Sequence, residues 1–96
     1  MTQTMRYEDQ KFDLGRVLMT RGVSALVATG LNIIPLIRRH ATGDWGQVPK
    51  DDRKRNEHAI EDGERIMSAY ETDHGPIWVI TERDRSRTTA LLPREY

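Results

Sequence analysis

The sequence predicts an α+β domain, with two to three short helices packed on a three- to four-stranded antiparallel sheet that forms a C-terminal meander. Three observations lead there. Apolar residues recur at helical spacing in the first half of the chain, apolar strand-like runs follow residue 65, and Gly, Pro and Asp punctuate the runs. Helices followed by strands, rather than the two in alternation, is the order expected of α+β.

Residues 1–12 are polar and are expected to form a flexible N-terminus, with Phe12 or Leu14 as the first anchor of a single domain over 13–96. Arg16–Thr20 reads as a short strand, with Val17 and Met19 on one face and Leu18 on the other. After Gly22, the i, i+3, i+4 spacing of Val23, Leu26 and Val27 predicts a helix that stops at Gly30. Asn32 can cap a second helix, whose stripe is Ile33, Leu36, Ile37 and His40; Pro35 falls in its first turn, where a missing N–H costs nothing. Gly43-Asp44-Trp45-Gly46 then reads as a turn with an aromatic at its tip.

Pro49 opens a third helix over Lys50–Asp62, stopped by Gly63, with a thin buried face of Asn56, Ala59 and Ile60. Its charges suit i, i+4 pairing (Asp51 with Arg55, Arg53 with Glu57, Glu61 with Arg65), worth about 0.2–0.5 kcal/mol per pair. Ile66–Tyr70 reads as a strand, residues 72–76 as a hairpin loop, and Ile77–Thr81 as the central strand because it is apolar on both faces. Thr88–Leu92 completes the meander, closed by Pro93.

Bulk properties narrow the function classes. A chain of 96 residues has no room for a two-domain enzyme with a cofactor cleft, so no cofactor is expected. Net charge is zero, which disfavours a dedicated nucleic-acid binder and leaves a homodimer unopposed by charge repulsion. Without cysteine there is neither a disulfide nor a thiolate metal site, and a cytoplasmic address is expected. The N-terminal residues lack the apolar core of a secretory signal, and no apolar run is long enough to span a bilayer.

Chemistry has few places to reside. His40 ends an apolar stripe just before Asp44 and Trp45; a carboxylate beside an imidazole is an acid/base arrangement, while the plainer reading is a cation at a helix C-terminus beside Arg38 and Arg39. Trp45 between glycines is either a partner anchor or a plug for the core. Arg83, Arg85 and Arg87 would share one face of a continued strand and clamp a phosphate or carboxylate, but Asp84 and Ser86 favour a turn that would splay them. Thr88 and Thr89 point to opposite faces, and Asp51 and Asp52 diverge on their helix. His58 and His74 have no ligand spacing around them, and Gly43 separates His40 from Asp44, so no metal site is expected. Phosphate-loop, zinc-protease and nucleophile-elbow motifs are absent.

Phe12–Gly15, Arg39–Gly46, Ser68–Tyr70 and above all Ile77–Tyr96 resemble a family of similarly short proteins carried on plasmids, integrative elements and prophages. Such proteins are labelled plasmid-related or type I restriction-modification subunit. The second label implies a methylase, whose Gly-rich cofactor turn and Pro-Pro-aromatic base pocket this chain lacks. The resemblance implies a mobile-element setting and no assigned chemistry.

Two functions of different class follow as expectations. One is a non-enzymatic, counter-defence inhibitor of anti-CRISPR or anti-restriction type, binding a host protein or protein–nucleic-acid complex through Asp44, Trp45, Arg83, Arg85 and Arg87. The other is a compact metal-independent ribonuclease or toxin-like RNA-binding domain, with His40 as general acid or base, Arg85 as charge stabiliser and Thr88 as orienting donor.

Overall fold

A computed structural model describes residues 7–96. The elements run β1 (Arg16–Met19), α1 (Arg21–Ala28), α2 (Ile34–Ala41), α3 (Lys50–Asp62), β2 (Ile66–Thr72), β3 (Gly75–Thr81) and β4 (Arg87–Leu91), followed by a 3₁₀ turn, Pro93–Glu95. The α+β class holds, and β2–β3–β4 is the antiparallel meander expected.

One correction concerns the sheet. Its order is β1-β4-β3-β2, and β1 lies parallel to β4, so the sheet is mixed rather than wholly antiparallel. The three helices and two strands between β1 and β4 act as a long crossover, which is what parallel neighbours require. The chain passes from β1 into α1 through Thr20, whose hydroxyl accepts from the Val23 N–H as an N-cap.

Segments 1–6 of the expected flexible N-terminus lie outside the described residues. Residues 7–12 are held against the domain: Arg38 stacks over the Tyr7 ring, the Lys11 N–H donates to the Ala41 carbonyl, and Phe12 is buried. The core lies between the helices and the inner sheet face, where Leu14, Val23, Ile37, Ile66, Tyr70, Ile77 and Val79 are sealed from solvent.

Helix α3 has the predicted bounds, and Gly63 ends it at φ +70, the left-handed conformation glycine adopts without strain. Its surface pairing differs from expectation: Asp52 meets Arg55 at i, i+3, Arg53 reaches the Gly46 and Val48 carbonyls, and Glu57 accepts from Trp45. Those carbonyls and the indole lie beside the helix, and each is a better-defined partner than a mobile side chain on its surface.

Asn56, on the inner face of α3, closes one edge of the sheet. Its carboxamide donates to the Met67 carbonyl at 2.8 Å and accepts from the Met67 N–H at 3.2 Å, standing in for a neighbouring strand. One residue pair along, Ala69 N–H donates to the Trp45 carbonyl and Gln47 N–H to the Ala69 carbonyl. Asn56→Leu should therefore lower stability by about 2 kcal/mol by stranding both Met67 groups. The shift in urea midpoint at unchanged slope measures it.

Candidate functional site

Helical and strand periodicity bring one polar set to the centre of the core. His40 comes from the inner stripe of α2, while Ser68, Thr81 and Thr88 take inward positions on β2, β3 and β4. All four are fully buried. His40 Nδ1 lies 2.6 Å from the Ser68 hydroxyl, and Nε2 lies 2.9 Å from that of Thr81. Thr81 and Thr88 hydroxyls are 2.7 Å apart, and Thr88 donates to the Leu14 carbonyl at 2.7 Å.

Counting protons fixes the tautomer. Thr88 spends its only hydrogen on Leu14, so it must accept from Thr81. Thr81 then has no hydrogen left and accepts from His40 Nε2–H. His40 Nδ1 is therefore bare and accepts from Ser68. The chain runs one way, from Ser68 through the neutral imidazole to the Leu14 carbonyl, and no buried side-chain polar atom among the described residues lacks a partner.

Electrostatics favour the same state. Burial, and secondarily the positive charge of Arg85, push the His40 pKa down from 6.5 to about 3. Phe12 touches both neighbours, with its ring 5.3 Å from the imidazole and the Arg85 guanidinium 5.7 Å from its centre. A neutral imidazole beside a cation and two aromatic rings has no reason to ionise near neutrality.

Trp45 belongs to this core too. It is 4% exposed, stacks on Phe12, meets His40 edge-on, and donates from Nε1 to Glu57 at 2.7 Å. The indole expected at a turn tip thus plugs the interior, because this core has few other large side chains to fill it. Asp44 organises the same turn: Arg39 donates to its carboxylate at 2.6 Å, Gly46 N–H donates to it, and Tyr70 donates to its carbonyl. The bonded guanidinium of Arg39 holds the Asp44 carboxyl below its ordinary range, while burial pushes the Tyr70 phenol up.

The three arginines are splayed. Strand β3 ends at Thr81, and the loop turns at Arg85, the one non-glycine residue with positive φ (60) among the described residues. Arg85 points inward, donating to the Ala59, Glu64 and Glu82 carbonyls, so its guanidinium covers the C-terminal end of α3. Arg83 is exposed and pairs with Glu64 at 3.2 Å. Arg87 is exposed and stands beside Arg16, its register partner on β1.

His40 and Thr88 are thus linked through Thr81 inside the core, and the half-buried Arg85 reaches the same region only across the Phe12 ring. A general base must reach its substrate's proton, and a fully buried imidazole does not. Ser68 and Thr81, the other links of the chain, lie outside the candidates that the sequence suggests. Their signal is a hydroxyl residue at an inward, otherwise apolar, alternate position of a strand. Arg16 lies outside those candidates too, because nothing local marks its pairing with β4.

Outside the core, the second face of the sheet is half-covered. Register places Leu18, Thr89, Ile80 and Met67 in one row across the strands, with Trp78 and Leu91 in the next and Arg16 and Arg87 at the end. Tyr96, 64% exposed, lies edge-on to Trp78 at 5.5 Å. Among the described residues, no group of His, Asp and Glu is arranged to hold a metal ion, and no helix is long and apolar enough to cross a membrane. Comparison of the chain with protein-family models, with curated proteins and with solved structures finds no match.

Proposed function

We propose that this chain is a small interaction protein of a mobile element, acting as a counter-defence inhibitor by binding a host protein or protein–nucleic-acid complex. The observation that carries the reading is a division of labour in the side chains. The group best suited to acid–base chemistry, His40, is consumed by the core. The half-covered sheet face instead gathers Trp78, Tyr96, Leu18, Arg16 and Arg87, the aromatic, aliphatic and guanidinium types that anchor protein interfaces. The likeness of Ile77–Tyr96 to proteins carried on plasmids and prophages supplies the setting.

The test pairs capture with protection. Tagged protein should recover one host protein or complex, and its expression should raise survival of a plasmid targeted by the host's CRISPR or restriction system. Tyr96→Ala and Leu18→Ser should weaken both readouts together. Absence of protection with no specific partner recovered contradicts the proposal, and so does hydrolysis of RNA by pure protein in chelator.

A further inference from the structure

We infer that the outer edge of β1 takes up an extended acidic segment of the partner as a fifth strand of the sheet. The inference deepens the interaction reading above and rests on it, since it names the chemistry of what is bound.

The two edges of the sheet are treated differently. On β2 the outward main-chain groups of Met67 and Ala69 are satisfied by Asn56, Trp45 and Gln47. On β1 the Arg16 N–H donates to Ser86 and the Thr20 N–H to Ala90, so alternation turns the N–H and C=O of Val17 and Met19 away from β4. Among the described residues nothing bonds to them. An unpaired edge of this kind is a template for strand addition.

Charge selects the occupant. Arg16 and Arg87 sit side by side at the start of this edge, and Arg21 follows it, all exposed. None is in ion-pair range of a carboxylate among the described residues; Asp84 feels Arg87 only through space. A second copy is a poor occupant, because Arg16–Met19 carries no carboxylate to answer those guanidiniums. An extended segment with acidic residues at alternate positions would place them on the outer face with Arg16 and Arg87. The residues between would then face Met19, which is 44% exposed.

The probe is a peptide of about eight residues alternating Glu and Val, with a Lys/Val peptide as control. The Glu/Val peptide should bind, slow hydrogen exchange at the Val17 and Met19 amides by about tenfold or more, and outcompete the control. Met19→Pro removes only an outward N–H and should weaken binding about tenfold with the fold intact. Arg16→Glu with Arg87→Glu should reverse the preference between the peptides. Equal binding of both peptides, or unchanged exchange at Val17 and Met19, overturns the inference. So does a dimer that protects the same amides without peptide. If the host partner is captured equally by the Met19→Pro variant, the edge proposal falls and the interaction reading stands. If no host partner is captured yet the acidic peptide protects the edge, the interaction reading falls alone.

Discussion

Replacing His40 with leucine is expected to cost about 3–5 kcal/mol, a large share of the roughly 5–15 kcal/mol that holds a domain of this size folded. The ring is fully buried and sits in the middle of a hydrogen-bond chain, so leucine fills the space but leaves the Ser68 hydroxyl without an acceptor and Thr81 without its donor. His40→Gln, which keeps polar atoms near both ends, should cost visibly less. The imidazole also makes stability pH-dependent, with a definite sign. Its pKa falls from 6.5 unfolded to about 3 folded, so below pH 6.5 the unfolded chain binds a proton that the folded one does not. The contribution is complete above pH 6.5 and is lost progressively as pH falls through the folded value, roughly 4–5 kcal/mol over that window. Asp44, also held low by its Arg39 partner, loses stability in acid as well, though at lower pH. Urea titrations between about pH 7 and 4 should therefore slope more steeply in the wild type than in His40→Gln.

Gly46→Ala is the second large effect, expected to exceed about 3 kcal/mol. Gly46 has φ +73, and a Cβ there would lie 2.0 Å from the Ala69 carbonyl oxygen and 2.7 Å from the Tyr70 ring. The nearest obstacle is main chain, which has no rotamer to move into, so the turn must detach from β2. That takes away the bonds joining Trp45 and Gln47 to Ala69 and frees the Asp44 carbonyl from Tyr70. Gly63→Ala is the control. Its φ is nearly the same, +70, but nothing lies within 4 Å of the added carbon, so only the left-handed conformation is penalised, by about 1 kcal/mol. Comparing the two by thermal unfolding separates the backbone clash from the dihedral cost.

What the sequence reveals follows the range of its signals. The bounds of α3 were legible because Pro49 and Gly63 are local signals that act through one residue's own φ. The central place of β3 was legible because Ile77, Trp78, Val79 and Ile80 leave neither face polar. Pairing of β1 with β4 was not, since a four-residue strand carries no mark of a partner some seventy residues on. Site chemistry was the least legible part. An imidazole followed by Asp44 and Trp45 looks the same in sequence whether it faces solvent or a hydroxyl on another strand. Ser68 and Thr81, far along the chain, decide between them. Asp84 and Ser86 did mark the turn that splays the arginines, but the inward course of Arg85 depends on carbonyls of α3 that no local pattern displays.

Ring-nitrogen NMR of His40, followed from about pH 7.5 down to about 4.5, puts the sealed, neutral imidazole to direct test. The expected spectrum shows the Nε2–H tautomer throughout, with no change as the solvent is acidified over that range. An imidazole that titrates with a midpoint near 6.5, or that carries its proton on Nδ1, would mean a ring open to water or a reversed chain of hydroxyls. A ring open to water would also overturn the assignment of function to the surface rather than to this histidine.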